Sequence, residues 1–231
     1  MELIADGLAE ALRRLAAFDP EVRDAAMTSL VVSGTATALS LVSGVPLGAL
    51  LGTARFRGRT LVLSLVNTGM GLPPVVVGLF VALLVYRSGP LGDLGLYCTR
   101  PAMVAAQYLL AVPEVIGLTA IAIQSVDPML RLQLLALGAT RWQVLVILVR
   151  ETRLLLLTAA MAAFGAVISE IGASLMTGCN LKGDTRILTT VIVLDTSAGN
   201  FGGAIALAII LLAVVFLVNG ITTWAQQRRP A

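Results

Sequence analysis

The stretch Asp127–Arg153, DPMLRLQLLALGATRWQVLVILVRETR, decides how this chain folds. It lies between two segments long and apolar enough to cross a bilayer, yet it carries Arg131, Arg141, Arg150 and Arg153. Asp127 before Pro128 is a helix start, with Asp as N-cap and Pro at the first helical position, where its missing N–H costs nothing. Leu130, Leu134 and Leu137 then recur at helical spacing on one face. Gly138 suits the C′ position that ends such a helix. Thr140 with Gln143 three residues on is a capping box that opens a second helix. The stretch therefore reads as helix, glycine corner, helix. Two physical readings stand: a surface on which another protein docks, or an amphipathic helix lying on the membrane.

The rest of the 231 residues favours docking. Hydrophobic residues make up 58%, charged residues 13%, and the mean hydropathy is +0.94, which places the chain among integral membrane proteins. The net charge is only +3 and the basic residues are scattered, so nucleic acid is not an expected partner. There is no histidine, and the two cysteines, Cys98 and Cys179, are far apart in no metal-type spacing. Zinc sites and histidine-based catalysis are thereby excluded. Both cysteines fall on the expected outer side, which permits a disulfide; two free thiols is the simpler expectation.

Residues 1–24 form an N-terminal segment. Ile4, Leu8, Leu12 and Leu15 share a face among Glu2, Asp6, Glu10, Arg13 and Arg14, as in an interfacial amphipathic helix. Asp19-Pro20-Glu21 starts a new helix by the logic of Asp127-Pro128. Residues 25–225 hold the membrane domain. Ala25–Ala54 has no charge and is rich in small residues that let helices approach closely in lipid. Thr60–Tyr86 is the second apolar run, and Pro73-Pro74 near its middle must break it. The third span is expected over Pro101–Ser125 and includes Pro113-Glu114. The fourth runs over Leu154–Thr177 and includes Ser169-Glu170, and the fifth lies within Gly202–Trp224. Residues 226–231 are a short tail. Five spans put the ends on opposite sides. Arg55, Arg57, Arg59, the four arginines of the 127–153 loop, Arg228 and Arg229 share one side, so that loop and the C-terminus are expected to be cytoplasmic and the N-terminus outside.

No nucleotide-binding Gly-x-x-x-x-Gly-Lys-Ser/Thr and no nucleophilic triad occurs, so transport rather than catalysis is the expected role. Glu114 and Glu170 are carboxylates inside spans and should face the bundle interior, a water cavity or a partner. Each is open to two readings, a gate or ion site, or a hydrogen-bonded lock between helices. Hydroxyls, amides and backbone N–H groups suit an anionic substrate. Ser169, Thr177, Asn180, Thr189 and Thr190 supply the side chains, and Gly172 and Gly178 allow close backbone approach. The opposing reading is that these hydroxyls bond their own helix carbonyls.

Leu134–Val144, LLALGATRWQV, resembles part of the cytoplasmic loop of bacterial ABC importer permeases. That loop has a glutamate–alanine–alanine start, then a glycine, then an apolar run ending in proline. Gly138-Ala139 matches the glycine; Leu132-Gln133-Leu134 stands where the acidic triplet would be, and Glu151 stands near the absent proline. Pro73-Pro74 resembles the second-span pattern of the family. Ala166–Asn180, AVISEIGASLMTGCN, followed by Thr185-Arg186 and Thr189-Thr190, is similar to the tungstate-importer permeases, relatives of those for molybdate and sulfate. The resemblance covers about residues 25–225.

It implies an all-α integral membrane protein of type I ABC importer permease architecture, with five transmembrane helices and a cytoplasmic coupling helix between spans three and four. It implies a second copy of the chain, two cytoplasmic ABC ATPase subunits and an extracytoplasmic oxyanion-binding protein as partners, in a bacterial or archaeal cytoplasmic membrane. Asp127, Pro128, Leu134, Gly138, Ala139, Thr140 and Arg141 would couple to the ATPase. Ser169, Glu170, Gly172, Thr177, Asn180, Thr189, Thr190 and Glu114 would line the pathway or gate. No cofactor is expected in this chain, ATP and Mg belonging to the ATPase. The rival expectations are a molybdate or sulfate permease, an ion-coupled carrier acting alone through Glu114 and Glu170, and a membrane scaffold.

Overall fold

Asp19 accepts the Glu21 N–H at 2.9 Å and opens α1 (Pro20–Thr53), as the Asp-Pro pattern requires. The computed structural model describes residues 19–227 together with Ala9 and Arg13, and among these the chain is helical with no strand. The expected amphipathic pattern of the first 18 residues, and the tail beyond Gln227, lie outside the described residues. In α1 the hydroxyls of Ser29, Thr37 and Ser40 donate to the carbonyls of Ala25, Ser33 and Ala36, so polar side chains enter an apolar run already satisfied.

The second apolar run is α2 (Arg59–Met70) and α3 (Pro74–Val85), meeting at 96° across Pro73-Pro74. Proline removes an N–H and pushes the preceding residue out of the helical region, which is the break the sequence demands. The unbroken α4 (Arg100–Gln124) follows, with Pro113 inside it, then α5 (Pro128–Ala136) and α6 (Arg141–Glu151). The fourth apolar run, the span expected over Leu154–Thr177, is broken. It is α7 (Arg153–Ile168) and a short α8 (Gly172–Gly178), bent by 59° with no proline between them. Ser169 turns back to the Gly165 carbonyl, and Glu170 uses its carboxylate to cap α8. An unexpected apolar helix α9 (Leu188–Ser197) precedes α10 (Phe201–Gln227). By length and composition α1, α4 and α10 can each cross a membrane, and the two bent pairs raise the number of candidate spans to as many as five.

The framework is α1 packed along α4. A Cβ placed on Gly44 would meet Val115 Cγ1 at 2.8 Å, one on Gly48 the Ile116 carbonyl oxygen at 2.6 Å, and one on Gly52 Ile123 Cβ at 2.8 Å. Glycine every fourth residue is how two helix backbones approach closely in lipid. Ala163 and Val167 of α7 close on Ala111 and Val115 of α4. The two bent pairs meet each other near their breaks: Gly78 of α3 lies against Ala173 of α8, Gly172 against Val75, and Val81, Ala106 and Ala173 form one buried cluster.

Candidate functional site

At one end of the bundle the 127–153 stretch folds as its caps dictate. Asp127 Oδ1 accepts the Met129 N–H at 2.8 Å. Gly138 adopts φ +85°, and the Gly138 and Ala139 N–H groups donate to the Leu135 and Leu134 carbonyls at 3.0 Å each, the Schellman pattern. Thr140 Oγ1 accepts the Gln143 N–H while Gln143 Oε1 accepts the Thr140 N–H, so both bonds of the capping box form.

The apolar stripe divides, which corrects the single face read from its spacing. Leu130 and Leu134 pack inward with Ala139 on Ala49, Ile123, Val144, Leu145 and Leu148. They seat the helix on its own domain. Leu137 is 84% exposed, because it sits at the C-cap where the chain leaves the helical path. Met129, Leu132 and Leu135 are exposed with it, and Trp142 is 68% exposed. Leu132, Leu135 and Trp142 share an 850 Å³ groove with Arg55, Arg131 and Arg141. The outward face is thus apolar with a basic rim. Sequence spacing did not reveal that Arg131 Nη1 donates to the Thr53 carbonyl at 2.9 Å, or that Arg59 Nε donates to the Leu51 carbonyl at 3.1 Å. Both arginines satisfy carbonyls that the end of α1 leaves orphaned.

The second cluster surrounds the break in the fourth apolar run. Glu170 is 7% exposed, and its carboxylate accepts from the Ala173 N–H at 2.7 Å, the Ser174 N–H at 3.1 Å and the Ser174 hydroxyl at 3.3 Å. Its backbone carbonyl accepts from Thr189 Oγ1. Of the two readings of Glu170, the geometry is that of a carboxylate that holds a bend. Ser169 and Thr177 hydroxyls donate to their own helix at Gly165 and Ala173. Thr190 Oγ1 lies between the Asn180 side-chain oxygen and the Ile187 carbonyl, 2.9 Å from each. These hydroxyls are brought together, but each is engaged by the framework. Gly172 and Gly178 serve packing, against Val75 and Met103. Glu114 stands apart on α4, half-buried, and shares no hydrogen bond with this cluster. Among the described residues no group of three His, Cys, Asp or Glu converges as a metal site would require.

One member of the cluster escaped the sequence reading. Gln107 of α4 is fully buried, and its Nε2 donates to Ser174 Oγ at 3.0 Å. Since the Ser174 hydroxyl donates to the Glu170 carboxylate, its oxygen must accept from Gln107, which fixes the amide orientation and leaves Gln107 Oε1 buried without a partner. The signal was available: an amide alone in the middle of an apolar span is as exceptional as Glu114.

The end of this cluster away from the 127–153 pair is tied down by a disulfide and by ion pairs. Cys98 and Cys179 are joined in a disulfide, which corrects the expectation of free thiols. Chain folding brings their Cα atoms within 5.1 Å although 81 residues separate them, a proximity that spacing in sequence does not encode. Arg100 meets Asp184, and Glu21 takes both Lys182 at 2.8 Å and Arg186 at 2.7 Å.

The family described as binding-protein-dependent transport system inner membrane component matches residues 44–229, which include the capped helix pair, both bent pairs and α9. The chain belongs to this family. As a permease of that class it is a membrane component of a transporter, and its ATPase is a separate subunit. It is 38% identical over 227 residues to the tungstate uptake system permease protein TupB of Peptoclostridium acidaminophilum, covering 98% of this chain and 100% of that one. It is 42% identical over 207 residues to a probable anion ABC transporter permease protein of Haloferax volcanii, covering 87% and 89%. An inward-facing structure of the MetNI methionine ABC transporter matches with a TM-score of 0.74 at 16% identity, over 90% of this chain and 95% of that one, a likeness of fold. The permease architecture expected from the 134–144 loop is therefore the architecture of this chain.

Proposed function

We propose that this permease forms, with a second copy of itself, the translocation pathway of an ATP-driven importer for a tetrahedral oxyanion, tungstate in preference to molybdate or sulfate. The observation that carries the reading is the capped helix pair 127–153, whose outward face is apolar, rimmed by arginine and held rigidly by a Schellman corner. That face suits a cytoplasmic ABC ATPase, one per copy, which would bind ATP and Mg. An exposed apolar patch with a polar rim is the form a docking surface takes. Substrate class rests on the similarity to the tungstate and anion permeases and on the 166–190 motif. An extracytoplasmic binding protein would deliver the oxyanion at the end bearing Lys182, Asp184 and Arg186. This places the N-terminus outside and the C-terminus in the cytoplasm of a bacterial or archaeal cell, in line with the arginine asymmetry.

The pathway reading of residues 169–190 changes character with the geometry. Their hydroxyls hold the bend in place, so the backbone and the angle of α8 shape the pathway more than free hydroxyls do. The test is reconstitution of the permease with its ATPase in proteoliposomes, with binding protein loaded with tungstate, molybdate or sulfate. Uptake that requires ATP and is fastest with tungstate is expected. Uptake by the permease alone, driven by a proton or sodium gradient, would instead establish the lone carrier.

A further inference from the structure

We infer that the Cys98–Cys179 disulfide is a redox latch on the pathway, through which an extracytoplasmic dithiol reductant or disulfide oxidant sets whether transport is coupled. The inference rests on the permease reading, with residues 86–99 and 178–187 outside. Cys98 stands just before α4 and Cys179 just after α8, so the bond ties the outer end of a bent pair to the outer end of the unbroken framework helix. The opposite end of α8 is fixed by Glu170, and its middle by Gln107 and Ser174. Broken helices at membrane depth line cavities or lie buried in protein, so the position of α8 bears directly on the pathway.

Three features distinguish a latch from an inert staple. First, both cysteines hold left-handed backbone, φ 61° and 59°, a region that L side chains rarely adopt. Asn180 follows in the same region at φ 52°. The turn is therefore poised to relax once the bond opens. Second, two of the three other outer ion pairs are weak, and the third, Arg186–Glu21 at 2.7 Å and partly buried, ties the 178–187 segment to α1 and not α8 to α4. Arg100–Asp184 and Lys182–Glu21 are exposed ion pairs, and such pairs add little in water. The disulfide is therefore the covalent tie between the start of α4 and the end of α8, supported by the Cys98 N–H donating to the Thr177 carbonyl at 3.0 Å. Third, both cysteines are half-buried rather than sealed, so a small reductant can reach them.

Opening proceeds by thiol–disulfide exchange. A thiolate of the dithiol attacks one cysteine sulfur and forms a mixed disulfide, and the other cysteine leaves as a thiolate and takes up a proton. The second thiolate of the reductant then displaces the first cysteine, which is protonated in turn. Two electrons and two protons pass to the permease, and the dithiol departs as a cyclic or internal disulfide. An oxidised dithiol partner runs the steps in reverse.

The test uses the permease–ATPase complex in proteoliposomes with tungstate-loaded binding protein. Iodoacetamide should leave both cysteines unmodified in the unreduced protein and label both after dithiothreitol. Dithiothreitol should lower ATP-driven tungstate uptake several-fold while ATP hydrolysis persists. A Cys98→Ser, Cys179→Ser double variant should start at the reduced level and ignore the reductant. Labelling of both cysteines before reduction overturns the latch, as does uptake that is normal and indifferent to dithiothreitol. Absence of uptake by the oxidised complex defeats the transport reading and the latch with it, whereas uptake that reduction does not change defeats the latch alone.

Discussion

Arg131 joins the helix pair to the rest of the molecule through a single charge-assisted hydrogen bond to the Thr53 carbonyl. It belongs to α5, which carries the docking face, and its acceptor is the last residue of α1. Arg131→Gln should therefore leave ATP hydrolysis near its original rate but reduce the substrate moved per ATP, and Arg131→Lys should restore part of the loss. Parallel assays of hydrolysis and uptake check this; equal losses in both would mean that Arg131 serves docking alone. Gln107 poses a different balance. It contributes one buried hydrogen bond, a net gain of about 1 kcal/mol, and one buried unpaired carbonyl, a cost of about 1–3 kcal/mol. Gln107→Leu removes both, so the melting temperature in detergent should change little or rise. Uptake should still fall, because α8 loses its tie to α4. A lowered melting temperature would show that Gln107 is held by a partner that the bookkeeping omits.

At the scale of elements, the caps and the proline break were legible, and the second break and the angles were not. Asp127-Pro128, Gly138 and Thr140–Gln143 each specify a local bond, and all of those bonds form. Gly138→Val would force a β-branched residue into φ +85°, at about 1–2 kcal/mol by left-handed sterics. The corner should open and uptake should fall with the bundle still folded, as circular dichroism and uptake together would report. Pro73-Pro74 announced the first break, since proline carries its own reason for breaking a helix. The break at Ser169–Ile171 has no such signature. It depends on a carboxylate reaching forward to two N–H groups, and Glu170 in sequence is equally consistent with an ion site. The pairing of Cys98 with Cys179 and the inward turn of Leu134 also depend on where helices lie, which periodicity alone does not fix. Gly44, Gly48 and Gly52 were readable as small residues, and the structure supplies their partner, α4. Gly48→Leu would drive a side chain into the Ile116 carbonyl and Thr119, and overpacking of that kind costs about 1–3 kcal/mol. Size-exclusion chromatography and melting of the solubilised variant should show a less stable, less homogeneous protein. An unaltered melt would mean that α1 and α4 can separate at no cost.

For the whole molecule these ties define two bodies. The docking pair, α1 and α4 are joined by Arg131, by the Ala49–Ile123–Leu148 cluster and by the glycine stripe. The two bent pairs meet at Gly78–Ala173 and Gly172–Val75 and pack on the first body through Ala163 and Val167 against Ala111 and Val115, through Ala106 beside Val81 and Ala173, and through Gln107 and the disulfide. A push on the docking face would move the first body and be felt by α8 through the packing of α4 on α7 and α8, through Gln107 and through the disulfide. Everything downstream in that scheme depends on an ATPase engaging Leu132, Leu135, Leu137 and Trp142. The most direct measurement is co-purification of the ATPase with the tagged permease, compared with Leu132→Glu and Trp142→Glu, two exposed positions where a charge should not disturb the fold. The original chain should retain the ATPase, and both variants should lose it while eluting as intact permease. Retention of the ATPase by both variants would contradict the docking surface and the coupling route built on it.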